Sequence, residues 1–142
     1  MSIRDLYESS PLGTVGAFLL GTVHSAVFLF FAVYAAEMNF TILEISIVTF
    51  LLTISGAVAQ YPVGYISDKL DRRRVIIYAT FGSAFFAVML IISSGTMYLP
   101  EGLGSSKIWF YLFVILFSFC SLPMFSLILA HTNDYITKDK FV

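Results

Sequence analysis

The chain has 142 residues, 58% of them apolar and only 12% charged, with 15 Phe and 8 Tyr. An ordinary soluble domain carries about 25% charged residues, so this composition excludes a soluble globular domain and leaves room for about four spanning helices of roughly 20 residues. The net charge of −1 implies no partner, because the charges are segregated along the chain, and the single cysteine, Cys120, excludes an intrachain disulfide.

Met1 to Ser10 mixes Arg4 with Asp5 and Glu8, and the apolar run behind it is long enough to span. Neither feature suits a cleavable signal. The first predicted span covers 12–36. Pro11 suits its first turn, and Ser9 or Ser10 can cap it. His24 falls near the bilayer midplane, where an ionisable side chain is a functional candidate. It can line a substrate path or carry a coupled proton, or sit as a neutral ring bonded to a neighbouring helix. A tight turn over 37–41 follows.

The second span covers 42–67. Thr41 and Glu44 form a T-x-x-E capping box at its start. Within it, Ser55 and Gln60 can line a cavity or bond between helices. Gln60 joins His24 as a candidate for the substrate or proton path. Residues 64–74 then read GYISDKLDRRR, with 68–74 expected as a charged loop. Physically, Gly64 permits close approach of another helix. Asp68 can cap a neighbouring helix N-terminus, where unpaired N–H groups favour an anion. Arg72, Arg73 and Arg74 can grip a carboxylate bidentately or meet anionic lipid headgroups.

The third span covers 75–93, a Gly- and Ser-rich loop covers 94–107, and the fourth span covers 108–131. Ser118, Ser121 and Ser126 can line a cavity or act as interhelical bonds, and Pro123 is expected to kink the last span. Gly13, Gly16, Gly21, Gly56, Ala59, Gly64, Gly82, Ser83 and Ala84 mark expected packing faces. Arg4, Lys69, Arg72, Arg73, Arg74, Lys138 and Lys140 fall on one side of a four-span chain, and Lys107 alone falls on the other. That asymmetry predicts both termini and the charged loop in the cytoplasm.

Gly64, Asp68, Lys69, Arg72, Arg73 and Arg74 have the spacing of a transporter signature, and the chain resembles the major facilitator superfamily. The pattern departs at Asp71, where the family usually has a Gly that eases a turn with positive φ; Asp tolerates that region better than most residues. Further resemblance lies in SPLGTVGAFLLG, GAVAQYPVGYISDKLDRR and PMFSLILAHTND. These are similar to the second half of a bacterial branch of transporters with no assigned substrate. The resemblance implies an all-α membrane protein, with four transmembrane helices as part of a six-helix bundle, spans seven to ten of twelve. It implies secondary active transport of a small solute by alternating access at the bacterial inner membrane. It also implies that Asp134 pairs with Arg72 or Arg73 at a cytoplasmic gate, near His131, Thr132 and Asn133. The helix that Asp68 would cap is not in the chain, so the remaining helices of a longer transporter are the expected partners, with membrane lipid and an unknown solute.

No zinc spacing, phosphate-binding glycine loop or nucleophile motif is present, so no enzyme activity, cofactor or metal is expected. The basic cluster is too small and too membrane-bound to suggest nucleic acid. The rival expectation is a complete four-helix membrane protein, either a dimeric transporter or a non-transporting scaffold. A small dimeric transporter needs an acid near mid-span, whereas Glu37 and Glu44 lie at helix ends.

Overall fold

The computed structural model describes Tyr7, residues 10–96 and residues 107–140, apart from the side chains of Leu12, Thr96 and 134–140. Arg4 and the connection over 97–106 therefore lie outside the described residues, as do the side chains of Lys138 and Lys140. Every element is helical: α1 (Pro11–Glu37), α2 (Ile42–Lys69), α3 (Arg72–Thr96), α4 (Lys107–Ser121) and α5 (Pro123–Lys140). Four stretches are long and apolar enough to cross a membrane: Gly13–Glu37, Ile42–Lys69, Arg72–Gly95 and Lys107–Asn133. This is the all-α, four-span architecture expected from the sequence.

Local chemistry fixes the helix ends. At the start of α1, Ser10 Oγ accepts the Gly13 N–H at 3.3 Å, with Pro11 in the first turn. Asn39 closes the α1–α2 turn at φ 58, a left-handed conformation that Asn enters at low cost. The Thr41–Glu44 capping box is formed in full. Thr41 N–H donates to Glu44 Oε2 at 2.8 Å, and Glu44 N–H donates to Thr41 Oγ1 at 3.3 Å. The two prolines inside apolar runs behave differently. Pro62 is accommodated within α2. Pro123 divides the fourth span into α4 and α5, with Leu122 between them. A proline withholds one N–H and crowds the preceding turn, so the expected kink is realised as a break.

The expected charged loop is much shorter than the sequence suggested. Helix α2 runs through Lys69 and α3 begins at Arg72, leaving only Leu70 and Asp71 between them. Asp71 makes this possible as the N-cap of α3. Its Oδ1 accepts the Arg73 N–H at 3.0 Å, and its carbonyl accepts the Arg74 and Val75 N–H groups. The residue does not take the positive φ expected of it. Among the described non-glycine residues only Asn39 does.

Helix α4 packs mainly against α2 and α3, while α1 packs mainly on α5. A buried cluster of Ala35, Met38, Phe40, Val48, Leu52, Phe110 and Val114 ties α1, α2 and α4 together at the end opposite the charged turn. Glycine permits the closest approaches. A Cβ on Gly56 would lie 2.2 Å from Leu122 Cδ1, and one on Gly13 would lie 2.0 Å from Thr132 Oγ1. Gly16 and Gly82 also face neighbours, Ile128 and Cys120. By contrast, Gly21 and Gly64 have nothing within 4 Å of a Cβ. The expected packing role of those two is therefore not filled by any described residue.

Candidate functional site

Two polar regions interrupt the apolar bundle. The first is the charged turn. Asp68 and Arg72 lie four residues apart across the short α2–α3 connection, and Arg72 Nη2 donates to Asp68 Oδ1 at 3.0 Å. Asp68 is thus engaged by the arginine four residues on, and it caps no other described helix. Lys69 folds back along α2: its Nζ donates to the Tyr65 hydroxyl and lies 4.1 Å from that ring's centroid. Arg73 and Arg74 are exposed and form no ion pair with a described residue. Gly64 offers its carbonyl to Ser67 Oγ at 2.8 Å. The backbone of Asp134 lies in α5, but its side chain is outside the described set, so the expected arginine partnership lies outside it too.

The second region is at mid-depth. His24 Nε2 lies 3.1 Å from Ser121 Oγ, joining α1 to the last residue of α4, two positions before Pro123. His24 also borders an open cavity of about 480 Å³ lined by Gly21, His24, Ser25, Phe28, Leu29 and Phe125, while Ser121 is buried. His24 is therefore bonded to a hydroxyl on another helix and also faces open space. Gln60 is exposed on α2 and is not among that cavity's lining. The structure does not bring it together with His24.

Of the serines expected to line a cavity or to bond between helices, Ser118 and Ser121 do the latter, and Ser55 and Ser126 bond to carbonyls of their own helices. Ser55 Oγ donates to Leu51 O at 2.6 Å, and Ser126 Oγ donates to Pro123 O at 3.0 Å. Ser118 Oγ crosses to Leu52 O on α2. A hydroxyl in an apolar helix has a carbonyl one turn back within reach, which removes the cost of burying it. His131, expected near a gate, lines a cavity of about 270 Å³ with Gly13, Gly16, Thr80 and Met124 toward the cation-rich end.

A third feature was missed in the sequence. Lys107 Nζ donates to Glu44 Oε1 at 2.6 Å and stands 4.9 Å from the Phe40 ring centroid. The same Glu44 therefore caps α2 and binds α4. A usable signal was present, since Lys107 is the lone cation on its side and Glu44 an acid on the same side.

The family model of the Major Facilitator Superfamily matches residues 2–141. No curated protein and no solved structure matches the chain.

Proposed function

The chain belongs to the Major Facilitator Superfamily and is an integral membrane protein of that transporter type, and we propose that it works in secondary active transport of a small solute by alternating access. In this reading it acts together with further helices of a longer chain and is not competent alone. It would occupy the position of spans seven to ten, in the inner membrane of a bacterium. The observation that carries the proposal is His24 at mid-depth, bonded to Ser121 beside the break at Leu122 and lining a cavity. Ionisable groups at that depth are costly and therefore mark functional paths, and broken helices supply polar backbone where a solute or proton must pass.

The test is uptake by proteoliposomes of the intact gene product, screened over substrate classes with and without an imposed proton gradient. In the proposed role, His24→Gln abolishes gradient-driven accumulation while solute exchange across the membrane persists. Unchanged accumulation removes His24 from the path.

The seven-to-one distribution of cations supports a cytoplasmic location for both termini and the charged turn. Single cysteines replacing Arg73 and Ser105, in a Cys120→Ala background, check this with an impermeant thiol reagent on intact cells. Labelling at 105 and not at 73 is expected, and the reverse pattern inverts the topology. We also assign Asp134 as partner of Arg72 or Arg73 at the cytoplasmic gate. Losing one member of such a pair leaves an unbalanced charge in a partly buried site, which is worse than losing both. Asp134→Ala should therefore impair transport, and a second change of the correct arginine to Ala should partly restore it. Additive losses for both arginines would end that assignment.

The rival of a dimeric four-helix transporter gains no support from the described acids, since Glu37, Glu44, Asp68 and Asp71 all sit at helix ends.

A further inference from the structure

We infer that the outer face of α3 is a binding site for an anionic phospholipid, with the phosphate held at Arg73 and Arg74. Residues 74, 78, 81, 85, 88 and 92 recur at alternating steps of four and three, so they form one stripe along the helix. All six are exposed: Arg74, Tyr78, Phe81, Phe85, Val88 and Ile92. Tyr78 and Phe81 are each 73% exposed. The order along the stripe is cation, tyrosine, phenylalanine, then aliphatic. That is the polarity gradient of a phospholipid, from phosphate through the interfacial zone, where tyrosine is favoured, to the acyl chains. From Arg74 to Phe85 the stripe rises about 16 Å, about the depth of one leaflet, which is half the hydrocarbon thickness of about 30 Å.

Charge complementarity selects an anionic headgroup. The turn holds four cations and two carboxylates, and both carboxylates are already engaged. Asp68 binds Arg72, and Asp71 caps α3 through the Arg73 N–H. Lys69 is turned onto Tyr65. The guanidinium groups of Arg73 and Arg74 have no described carboxylate partner, and a phosphate fits their planar donors bidentately. The site does not rest on the transport reading, and it requires that Asp134 pair with Arg72, since Arg73 cannot serve both a carboxylate and the phosphate.

The test uses the whole chain in phosphatidylcholine bilayers, carrying Tyr78→Trp in a Trp109→Phe background so that a single indole reports at the site. Quenching by brominated phosphatidylglycerol is compared with quenching by brominated phosphatidylcholine. Phosphatidylglycerol should bind several-fold more strongly, and Arg73→Gln with Arg74→Gln should abolish that preference. The Arg→Lys pair should retain part of it by charge alone, with helical content measured in each variant. Equal quenching by the two lipids, or a preference that survives the double Gln change, overturns the site. Quenching by neither lipid shows the face covered by protein, such as a second copy, and also overturns it. A preference abolished by millimolar inorganic phosphate would assign the arginines to a free anion rather than a lipid.

Discussion

The two ends of the bundle are held by different means. At the end away from the charged turn, contacts join residues far apart in the chain. Phe110 of α4 meets Phe40 edge-on at 5.4 Å and Phe31 of α1 at 6.3 Å. Above them, Glu44 and Lys107 tie α2 to α4. At the cation-rich end, Lys69 bonds to Tyr65 within its own helix, and Arg72 bonds to Asp68 across the two-residue connection. What joins α1 to α5 there is the bare backbone of Gly13 and Gly16. One end is therefore fixed by long-range side-chain packing. The other leaves Arg73 and Arg74 exposed at the surface, within reach of lipid.

Breaking the packed end should have the largest effect. Phe110 is fully buried among Phe31, Phe40 and Tyr111. Phe110→Ala should lower stability by about 3 kcal/mol, read as a fall in the unfolding midpoint in detergent. In lipid the loss comes chiefly from missing contact, since the bilayer is as apolar as the core. A change no larger than that of the exposed Phe81→Ala would show that this end is no better packed than the surface.

Next comes Gly13→Val. A side chain there meets Thr132 and Ser10 and must push α1 from α5. Overpacking of this kind costs about 1–3 kcal/mol. The same change at Gly64, which has open space, should leave the midpoint nearly unaltered. Equal losses at the two positions would refute the assignment of the packed and free glycines.

Smaller again is the Glu44–Lys107 pair. Both side chains are partly exposed, so their coupling in a double-mutant cycle should be modest and should fade as salt approaches 1 M, where the screening length is about 3 Å. Glu44→Ala should lower the midpoint more than Lys107→Ala, because it also removes the side-chain acceptor that caps α2. Equal losses would mean that the capping role is negligible.

The smallest stability effect is expected for Asp68→Asn, whose partner Arg72 lies at the surface of the same turn. If the turn takes part in the transport cycle, this variant should insert normally yet slow uptake. Normal uptake in a well-expressed variant would leave the Asp68–Arg72 pair as a local tie only.

The sequence by itself determined the features that depend on neighbours along the chain. Long apolar runs had to become helices, because in lipid every backbone polar group must bond within its own segment. Thr41 and Glu44 set the start of α2, and Pro123 interrupted the fourth span. The spacing of 64 to 74 pointed to the family that the match over 2–141 then established. Tertiary structure decided the rest. Charge type and spacing did not reveal that Asp71 would cap α3, so that a loop of seven residues shrank to two. Nor could they pair His24 with Ser121, 97 residues apart, or Glu44 with Lys107, 63 apart. Among similar glycines, only folding distinguished Gly56, pressed against Leu122, from Gly64, facing open space. The physical reason is common to all of these. In an apolar helix surrounded by lipid, hydrophobic periodicity is too weak to say which face meets protein, so partners are chosen only when the helices pack.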